Sequence, residues 1–198
     1  GFSQPPAYRK LLVSPRRIRD GLIQEIDRTI EAHQSGVPAR IALKCNAVID
    51  GPMIEAIYRA SRAGVKVDIV SRGIVGLRPG IPGVSDNVRV ISIVGRFLEH
   101  SRIYAFYTGD EARYYIGSAD LMPRNLDHRV EAVTPVEDKL LRRELENVLA
   151  TELSDTALAW ELRADGTWER VPEPEGQEPL SSQVAFMERA ENRAMHRG

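Results

Sequence analysis

Two hydrophobic spacings alternate along the first part of the chain, and this alternation restricts the fold more than any other feature. Apolar residues recur at helical intervals in residues 15–35 and 50–64. Residues 39–48 and 65–71 are instead nearly continuous apolar runs of strand length. The order helix, strand, helix, strand, then several strands predicts an α/β protein with a mixed sheet. The further strands are predicted at residues 88–94, 95–107, 112–120 and 128–136.

Turn residues and changes in polarity divide the rest of the chain. A loop rich in Gly and Pro covers residues 72–87. An amphipathic pattern predicts a long helix over residues 137–155. The dipeptide Asp165-Gly166 is typical of a hairpin turn, and we expect a hairpin over residues 157–172.

These boundaries predict one main domain and one extension. We expect a single domain over residues 1–172 and a C-terminal linker with a docking segment over residues 173–198. The polar stretch PEPEGQEP is the expected linker, and SSQVAFMERAENRA has the pattern of a short helix. The chain begins with Gly1 rather than Met, and we expect it to be a fragment of a longer protein.

Composition excludes several classes of protein. The 198 residues carry a net charge of −1, so that no overall basic field attracts nucleic acid or an anionic membrane. Cys45 is the only cysteine, which excludes a disulfide framework, and we interpret it as a core residue rather than a nucleophile. The sequence contains neither an apolar run of membrane-spanning length nor the core of a signal peptide. We therefore expect a cytoplasmic protein.

The stretch GRFLEHSRIYAFY, residues 95–107, has the apolar character of a buried strand but contains a polar cluster. Burying Glu99, His100, Ser101 and Arg102 costs free energy unless these side chains are paired or used. Alternate residues of a strand share a face, so we expect His100 and Arg102 on the same side. A cation beside an imidazole is suited to a phosphate group, which the imidazole can attack or protonate. The alternative is a structural histidine, which is the commoner role beside an apolar run.

A second polar group follows the next predicted strand. Gly117 allows a ligand to approach backbone N–H groups and Ser118 adds a hydroxyl, although most Gly-Ser pairs at strand ends are turns. Asp120 is expected on the same strand face as Ser118. Glu131 lies among apolar residues on the following strand, where a carboxylate is best explained if it orients a histidine. We therefore expect the Glu131 carboxylate to hydrogen-bond a ring nitrogen of His100.

Further candidates lie where strands end. Arg72 opens the Gly-rich loop, a position that presents a cation to a polyphosphate. Lys44 and Asn46 lie at the C-terminal end of a strand and before a helix, where open α/β sheets place ligands. Asn125, after the Gly-Ser strand, is a candidate to complete the phosphate cradle. For Arg72 and Lys44 a solvated strand-end charge remains the alternative, and for Asn46 a turn.

Together these motifs resemble the half-site of the phospholipase D superfamily, which reads His-x-Lys, then Gly-Ser-x-Asn, then a Glu on the next strand. The chain has His100-Ser-Arg102, Gly117-Ser118-Ala-Asp120 and Glu131 at the matching positions. It departs from the pattern twice, with Arg102 for the Lys and Asp120 for the Asn. Arg keeps the charge and can bind phosphate through two hydrogen bonds, whereas an Asp facing phosphate is unexpected in a hydrolase. The resemblance implies a phospholipase-D-like mixed sheet flanked by helices, with a C-terminal hairpin and tail.

Longer phrases narrow the resemblance to the C-terminal catalytic domain of bacterial polyphosphate kinase. The chain resembles that domain in LKCNAVIDGPMIEAIYRASRAGVKVDIVSRGIVGLRPG, in YIGSADLMPRNLDHRVEAVTPV, and through DGTWERV into SSQVAFM. This resemblance implies reversible transfer of the terminal phosphate of ATP to inorganic polyphosphate, with Mg²⁺ bound mainly with the nucleotide or by another part of the enzyme. In that family a phosphohistidine carries the phosphoryl group. It lies in a preceding phospholipase-D-like half, which nothing in this chain matches.

The resemblance also implies residue roles and partners. His100 is expected to donate a proton to the leaving group at the nucleotide site, and Arg72 to bind the ATP phosphates. The expected partners are ATP or ADP, inorganic polyphosphate, and the preceding domains of a full-length enzyme that forms a homo-oligomer. The predicted catalytic residues are His100 and Glu131, and the predicted ATP- or phosphate-binding residues are Arg72, His100, Arg102, Ser118, Lys44, Asn46 and Asn125. No residue is assigned as a metal ligand.

Two other functions are compatible with the motifs. A phosphodiesterase or nuclease of the phospholipase D superfamily would use His100 as nucleophile and complete its site in a twofold dimer. Arg102 and Asp120 argue against this alternative. A regulatory or polyanion-binding domain with a decayed site is the non-enzymatic alternative.

Overall fold

The molecule is built around one large sheet. The computed structural model describes residues 8–15 and 17–195. The strands are β1 (Leu12–Val13), β2 (Ala39–Cys45), β3 (Lys66–Ser71), β4 (Val88–Ile93), β5 (Ile103–Thr108), β6 (Glu111–Gly117), β7 (Ala132–Val136), β8 (Ala159–Leu162) and β9 (Trp168–Arg170). The helices are α1 (Ile18–Gln34), α2 (Gly51–Arg62), α3 (Lys139–Leu153) and α4 (Ser182–Met195), and a π-helical turn spans Arg124–His128. Within the described ranges the strands form a nine-stranded sheet in the order β1-β7-β6-β5-β2-β3-β4-β8-β9.

Helix α2 begins and ends where the sequence signals place it. The Asp50 side chain caps its first turn by accepting a hydrogen bond of 3.1 Å from the Met53 amide. Gly64, just beyond its end, has a φ of 92°, a conformation that residues with side chains rarely adopt. The helices predicted over residues 50–64 and 137–155 are confirmed by α2 and α3, and the first predicted helix is confirmed by α1.

The sheet is mixed, as predicted. Strands β2, β3 and β4 are parallel neighbours, whereas the other neighbouring pairs are antiparallel. The register pairs Lys44 of β2 with Val70 of β3 on one side and with Ile103 of β5 on the other. Strands β8 and β9 form the predicted hairpin and extend the sheet beyond β4.

Helices cover both faces of the sheet. Because side chains alternate along a strand, Ile41 and Leu43 of β2 pack with α1 and α2, whereas Ala42 packs on the α3 side. Cys45 is buried with the first group, which confirms that it is a core residue. Burial raises the pKa of its thiol to about 12, so that the thiol stays protonated and unreactive near neutral pH.

One edge of the sheet collects most of the predicted site. The C-terminal ends of β2, β3 and β4 lie at this edge, and the register places the starts of β5 and β7 and the end of β6 beside them. Each predicted site residue lies near the end of β2 or in a segment that enters or leaves the sheet here. We call this region the strand-end edge.

The strand predicted at residues 95–107 is shorter than its sequence pattern indicates. It begins only at Ile103, and residues 94–102 have no regular structure. His100 and Ser101 are therefore exposed, which removes the cost that the prediction invoked for them. Glu99 and Arg102 stay partly buried, and ion pairs offset the cost of burying them. His100 and Arg102 are still neighbours, but strand alternation is not the reason.

Two other predicted strands are also shorter. The strand predicted at residues 112–120 ends at Gly117, so that Ser118 and Asp120 follow it. The strand predicted at residues 128–136 begins at Ala132, because the π-helical turn and a short extended link precede it. In connecting segments, polar side chains can reach water, ligands and neighbouring loops.

The C-terminal segment contains helix α4 where the sequence pattern predicts a short helix. Arg193 of α4 donates a hydrogen bond of 2.5 Å to Glu144 of α3. The division of the chain at residue 172 stays a prediction. None of the helices in the described part of the chain is long and apolar enough to cross a membrane.

Candidate functional site

Five side chains at the strand-end edge form a continuous series of hydrogen bonds, which we call the Arg72–His100 chain. Arg72 Nε donates to Asn46 Oδ1 at 2.8 Å, and Asn46 Nδ2 donates to Asp120 at 3.2 Å. Asp120 in turn accepts two hydrogen bonds from Arg102, at 3.2 and 3.0 Å. Arg102 Nη1 then lies 3.1 Å from His100 Nδ1. The structure thus joins four predicted phosphate-binding residues that come from three separate segments of the chain.

Asp120 explains why a carboxylate stands where the superfamily pattern has an amide. It holds the Arg102 guanidinium through two hydrogen bonds and also accepts one of 2.7 Å from the Asn46 backbone amide. Burial alone would raise the pKa of Asp120, but the hydrogen bonds from Arg102 and Asn46 outweigh it and lower that pKa. Asp120 is therefore ionised at neutral pH and fixes the orientation of Arg102.

Arg72 projects into solvent from a tightly packed turn. A Cβ on the following residue, Gly73, would lie 2.5 Å from the Asn46 carbonyl oxygen, so that only glycine fits there without displacement. Arg72 itself is exposed, and its Nε is held by Asn46. The guanidinium is consequently oriented at Nε, and Arg72 lines an open cleft of about 380 Å³ whose walls include Trp160 and Trp168.

His100 is exposed and receives its orientation from Arg102. Arg102 Nη1 donates to the His100 carbonyl at 2.8 Å and contacts its Nδ1 at 3.1 Å. A guanidinium can only donate hydrogen bonds, so Nδ1 must accept. We therefore assign the proton of the neutral ring to Nε2. The ring nitrogen that remains available to a ligand is Nε2.

Glu131 has a different partner from the one predicted. Its carboxylate accepts a hydrogen bond of 2.6 Å from Asn125 Nδ2, and its backbone amide donates to Ser14 Oγ at 2.9 Å. No hydrogen bond joins Glu131 to His100 among the described residues, because the π-helical turn brings Asn125 against the carboxylate. Asn125 is 3% exposed, so that it supports Glu131 rather than presenting its amide to solvent. The catalytic role of Glu131 stays a prediction.

Ser118 lies two residues before Asp120 in the chain and is exposed. Its Oγ accepts a hydrogen bond of 3.3 Å from the Ala132 amide, and its hydroxyl hydrogen remains free to donate. A Cβ at Gly117 would lie 2.3 Å from the Ala132 carbonyl oxygen. Gly117 therefore permits the close approach of β7, rather than the approach of a ligand that its motif suggested.

Lys44, predicted to bind phosphate, is instead enclosed. It is 1% exposed, and its ammonium donates to Glu99 at 2.7 Å and to Glu152 of α3 at 2.6 Å. Glu99 also accepts a hydrogen bond of 2.8 Å from Gln183 of α4. We call these four residues the Lys44 cluster. The Lys44 ammonium is neutralised by these two carboxylates, so that it is not available to bind a phosphate at the strand-end edge.

The pKa shifts of the two carboxyl groups in the Lys44 cluster have opposite signs. Burial raises the pKa of Glu152 to about 7, although the neighbouring Lys44 opposes this shift. For the less buried Glu99, burial is outweighed by hydrogen bonds from Lys44 and Gln183, which lower its pKa. Glu99 is the permanent counter-ion of Lys44, whereas Glu152 can be protonated near neutral pH.

Sequence reasoning missed the contributions of Glu152 and Gln183. One signal was present, because Glu152 follows Leu145, Val148 and Leu149 at helical intervals and so lies on the apolar stripe of α3. An acidic residue on such a stripe indicates a buried partner. Gln183 carried no comparable signal, since its partners Phe97 and Glu99 lie 86 and 84 residues away in an irregular segment.

The carboxylates at the strand-end edge do not fit a protein-held magnesium site. In residues 8–15 and 17–195, no three His, Cys, Asp or Glu side chains are grouped so that they could hold a metal ion. Asp120, Glu99 and Glu131 are each held by a cation or an amide. The site therefore offers anion-binding groups rather than a set of metal ligands.

The mixed sheet and its His- and Arg-bearing edge place the chain in the phospholipase-D-like class of α/β proteins. Nuc, a phospholipase D family member from Salmonella typhimurium, shares this fold with a TM-score of 0.50 at 16% identity, over 70% of this chain and 89% of that one. The family model for the polyphosphate kinase C-terminal domain 2 matches residues 11–183. The chain belongs to this family.

Relatives and one solved structure agree with this assignment. A polyphosphate kinase of Thermosynechococcus vestitus is 53% identical over 175 residues, which are 88% of this chain and 24% of that protein. A polyphosphate kinase of Streptomyces coelicolor is 47% identical over 91% of this chain and 24% of its own length. The crystal structure of polyphosphate kinase from Porphyromonas gingivalis aligns with a TM-score of 0.90 at 34% identity, over 96% of this chain and 29% of that one. The chain thus spans about a quarter of the length of these curated relatives.

Proposed function

We propose that the chain is the C-terminal catalytic part of a polyphosphate kinase, which reversibly transfers the terminal phosphate of ATP to inorganic polyphosphate. The observation that carries this proposal is the Arg72–His100 chain, which orients two guanidinium groups and one imidazole at the strand-end edge. Membership of the polyphosphate kinase C-terminal family supports it. The named relatives are about four times longer, and the phosphohistidine half is proposed to precede this chain.

Each residue has a distinct proposed task. Phosphoryl transfer requires mainly that groups be positioned and that charge on the phosphate oxygens be stabilised. Arg72 would bind the nucleotide phosphates with its free guanidinium N–H groups. Arg102, whose charge Asp120 partly offsets, would mainly orient His100. Ser118 would donate its hydroxyl hydrogen. His100 would act as an imidazolium: Arg102 Nη1 would withdraw from Nδ1, Nε2 would give its proton to the leaving phosphate oxygen, and a neutral ring protonated on Nδ1 would remain.

The proposed cofactor and partners follow from this role. Mg²⁺ would arrive with the nucleotide phosphates or be held by the preceding half. ATP or ADP and inorganic polyphosphate are the proposed substrates. The proposed full-length enzyme is a cytoplasmic homo-oligomer.

The phosphodiesterase or nuclease alternative receives no specific support. It requires His100 as a nucleophile within a twofold dimer, and the likeness to Nuc concerns the fold alone. Asp120 binds Arg102 through both carboxylate oxygens, which reduces the positive charge available to a phosphodiester.

The proposal is tested with the full-length enzyme that contains this chain. Synthesis of polyphosphate from ATP, Mg²⁺ and a primer is measured for the wild type, for His100→Ala and for His128→Ala, an exposed histidine used as the control. Loss of a proton donor should lower kcat about 10²–10⁴-fold in His100→Ala, and His128→Ala should match the wild type. The 198-residue chain alone should fold without making polyphosphate. Full activity of His100→Ala, or robust synthesis by the chain alone, would contradict the proposal.

A further inference from the structure

Most residues of the Arg72–His100 chain lie next to a strand in the sequence, but His100 does not. Asn46 and Arg72 directly follow strands, and Arg102 directly precedes one. His100 lies in residues 94–102, which we call the His100 segment; it has no regular structure and is largely exposed. A proton donor must be held close to its productive geometry, because a displacement of 1 Å can cost about 10²-fold in rate. The His100 segment therefore needs support from side chains outside it.

Gln183, the second residue of α4, provides that support through three hydrogen bonds. Its Oε1 accepts from the Phe97 amide at 3.0 Å, and its Nε2 donates to the Phe97 carbonyl at 2.9 Å. The same Nε2 donates its second hydrogen to Glu99 at 2.8 Å. Both amide hydrogens of Gln183 are thus used, and both backbone polar groups of Phe97 are paired. Gln183 binds the His100 segment as a neighbouring strand would.

The surroundings allow only one orientation of this amide. If its oxygen and nitrogen were exchanged, the nitrogen would face the Phe97 N–H and the oxygen would face two acceptors. Gln183 is 4% exposed, and a Cβ on Gly95 would lie 2.5 Å from its Oε1. The amide is therefore enclosed as well as paired, and the absence of a side chain at Gly95 makes room for it.

Both ends of this connection are anchored in the core. Next to Gln183, the Ser182 amide and hydroxyl each donate to Asp155 at 2.7 Å, which fixes the start of α4. On the other side, Glu99 accepts from Lys44 of β2, which also binds Glu152 of α3. The His100 segment is consequently held between the start of α4 and the buried part of the sheet.

We propose that Gln183 is a positioning residue for His100. It does not contact phosphate; it fixes the backbone at Phe97 and the side chain of Glu99, one to three residues before His100. This inference rests on the proposed function, because it requires His100 to act on the substrate. Arg72 is held independently by Asn46. Changes at Gln183 should therefore lower kcat and leave the apparent KM for ATP nearly unchanged.

Two substitutions of Gln183 separate the effect of its hydrogen bonds from the effect of its side-chain volume. Gln183→Ala removes all three hydrogen bonds and most of the side chain. Gln183→Glu keeps the size but, when ionised, faces the Phe97 carbonyl and the Glu99 carboxylate without a donor. When protonated, the new carboxyl group can donate one hydrogen bond. The kcat of Gln183→Glu, relative to wild type at the same pH, should therefore rise as the pH is lowered from 8 to 6, whereas the ratio for Gln183→Ala should stay constant.

Two controls test whether any damage to α4 has the same effect. Arg193→Ala breaks the contact of α4 with Glu144 but does not touch the His100 segment. Gln177→Ala removes an exposed glutamine from the linker before α4. All variants are made in the full-length enzyme, and kcat, KM for ATP, thermal stability and hydrogen exchange of peptides covering residues 94–102 are measured.

At pH 8, Gln183→Ala and Gln183→Glu should lower kcat about tenfold to 10²-fold, with KM for ATP within about twofold. Exchange at residues 94–102 should be faster in both variants. In Gln183→Ala the Phe97 amide loses its partner, and in Gln183→Glu the ionised carboxylate repels the Phe97 carbonyl and Glu99. Arg193→Ala and Gln177→Ala should match the wild type in kcat and in exchange of this segment.

The inference is overturned if Gln183→Ala keeps kcat within about twofold of wild type while His100→Ala is inactive; the proposed function then stands. It is also overturned if Arg193→Ala lowers kcat and loosens residues 94–102 as much as Gln183→Ala does, because α4 then acts only by docking. If His100→Ala is fully active, the proposed function fails, and the role given to Gln183 fails with it. The exchange data remain a separate measure of the Gln183 contacts.

Discussion

Arg72 and Lys44 are both cations at the ends of parallel strands, yet their surroundings differ completely. Arg72 is exposed, and its hydrogen bond in the described structure is to the neutral amide of Asn46. Lys44 is 1% exposed and lies between the carboxylates of Glu99 and Glu152. The charge of Arg72 is uncompensated and open to an anion, whereas the charge of Lys44 is already neutralised.

This comparison shows that position at a strand end does not by itself make a cation a ligand-binding group. Lys44 lies near the end of β2 and Arg72 directly follows the neighbouring strand β3, so both lie at the same edge of the sheet. What differs is the number of carboxylates each one meets, because the Lys44 side chain points to the α3 face of β2. An anion could bind Lys44 only by displacing a buried carboxylate, which carries a large desolvation cost.

The largest effect should come from removing the enclosed cation. Lys44→Met leaves Glu99 and Glu152 without their shared counter-ion, and breaking a buried pair in this way typically costs about 3–5 kcal/mol. We expect the free energy of unfolding of the chain to fall by about that amount, measured by urea denaturation at pH 8.

Lys139, exposed at the start of α3, provides the matched control. Lys139→Met should change the free energy of unfolding by less than about 0.5 kcal/mol, as is usual for surface sites. Equal losses for the two substitutions would show that the carboxylates do not depend on Lys44, and the comparison with Arg72 would then fail.

The second effect concerns binding rather than stability. Arg72→Ala should remove a charge-assisted contact to the nucleotide phosphates, worth about 1.5–3 kcal/mol, and so raise the apparent KM for ATP about 10- to 150-fold. The free energy of unfolding should stay within about 0.5 kcal/mol of wild type, because Arg72 is exposed. Steady-state kinetics of the full-length enzyme and urea denaturation measure the two quantities.

Arg78 serves as the control for this experiment because it lies in the same Gly-rich loop and is also exposed. Arg78→Ala should leave KM for ATP within about twofold of wild type. If both arginines changed KM to the same degree, general charge in the loop, rather than the orientation given by Asn46, would explain binding.

The sequence predicted the fold, and the place of several candidate residues within it, better than it predicted the contacts of those residues. Hydrophobic spacing located the helices and most strands, and the predicted strand ends indicated the edge at which Arg72 and Asn46 lie. Arg102 was expected within a strand and instead precedes β5. Local spacing could not show which way Lys44 would face or what would meet it there, since Glu152 is more than a hundred residues away in the chain. The pairing of Glu131 with Asn125 depended on a π-helical turn, for which the sequence has no strong signal.

The smallest effect should come from Glu152, and its sign depends on pH. Burial raises the pKa of its carboxyl group from 4.5 to about 7. Between these values the folded chain retains a proton that the unfolded chain has released, so that stability falls as the pH rises through this window. Gln cannot titrate, and the stability of Glu152→Gln should therefore not fall as the pH rises through this window. At pH 5, where folded Glu152 is protonated and resembles Gln, the two chains should differ by less than about 1 kcal/mol.

At pH 8 the balance should move in favour of Glu152→Gln. Wild type then carries a second ionised and buried carboxylate, that of Glu152. In the variant Lys44 is paired with Glu99 alone, and this pair is already neutral. Urea denaturation at pH 5 and pH 8 measures the difference, with the exposed Glu191→Gln as a control that should show no pH-dependent change. A Glu152→Gln variant that is less stable by the same amount at both pH values would mean that both carboxylates are ionised throughout and needed by Lys44. The Lys44 cluster would then be a closed ionic triad that does not titrate near neutral pH. Its enclosed cation would differ fully from Arg72, whose charge is open to an anion.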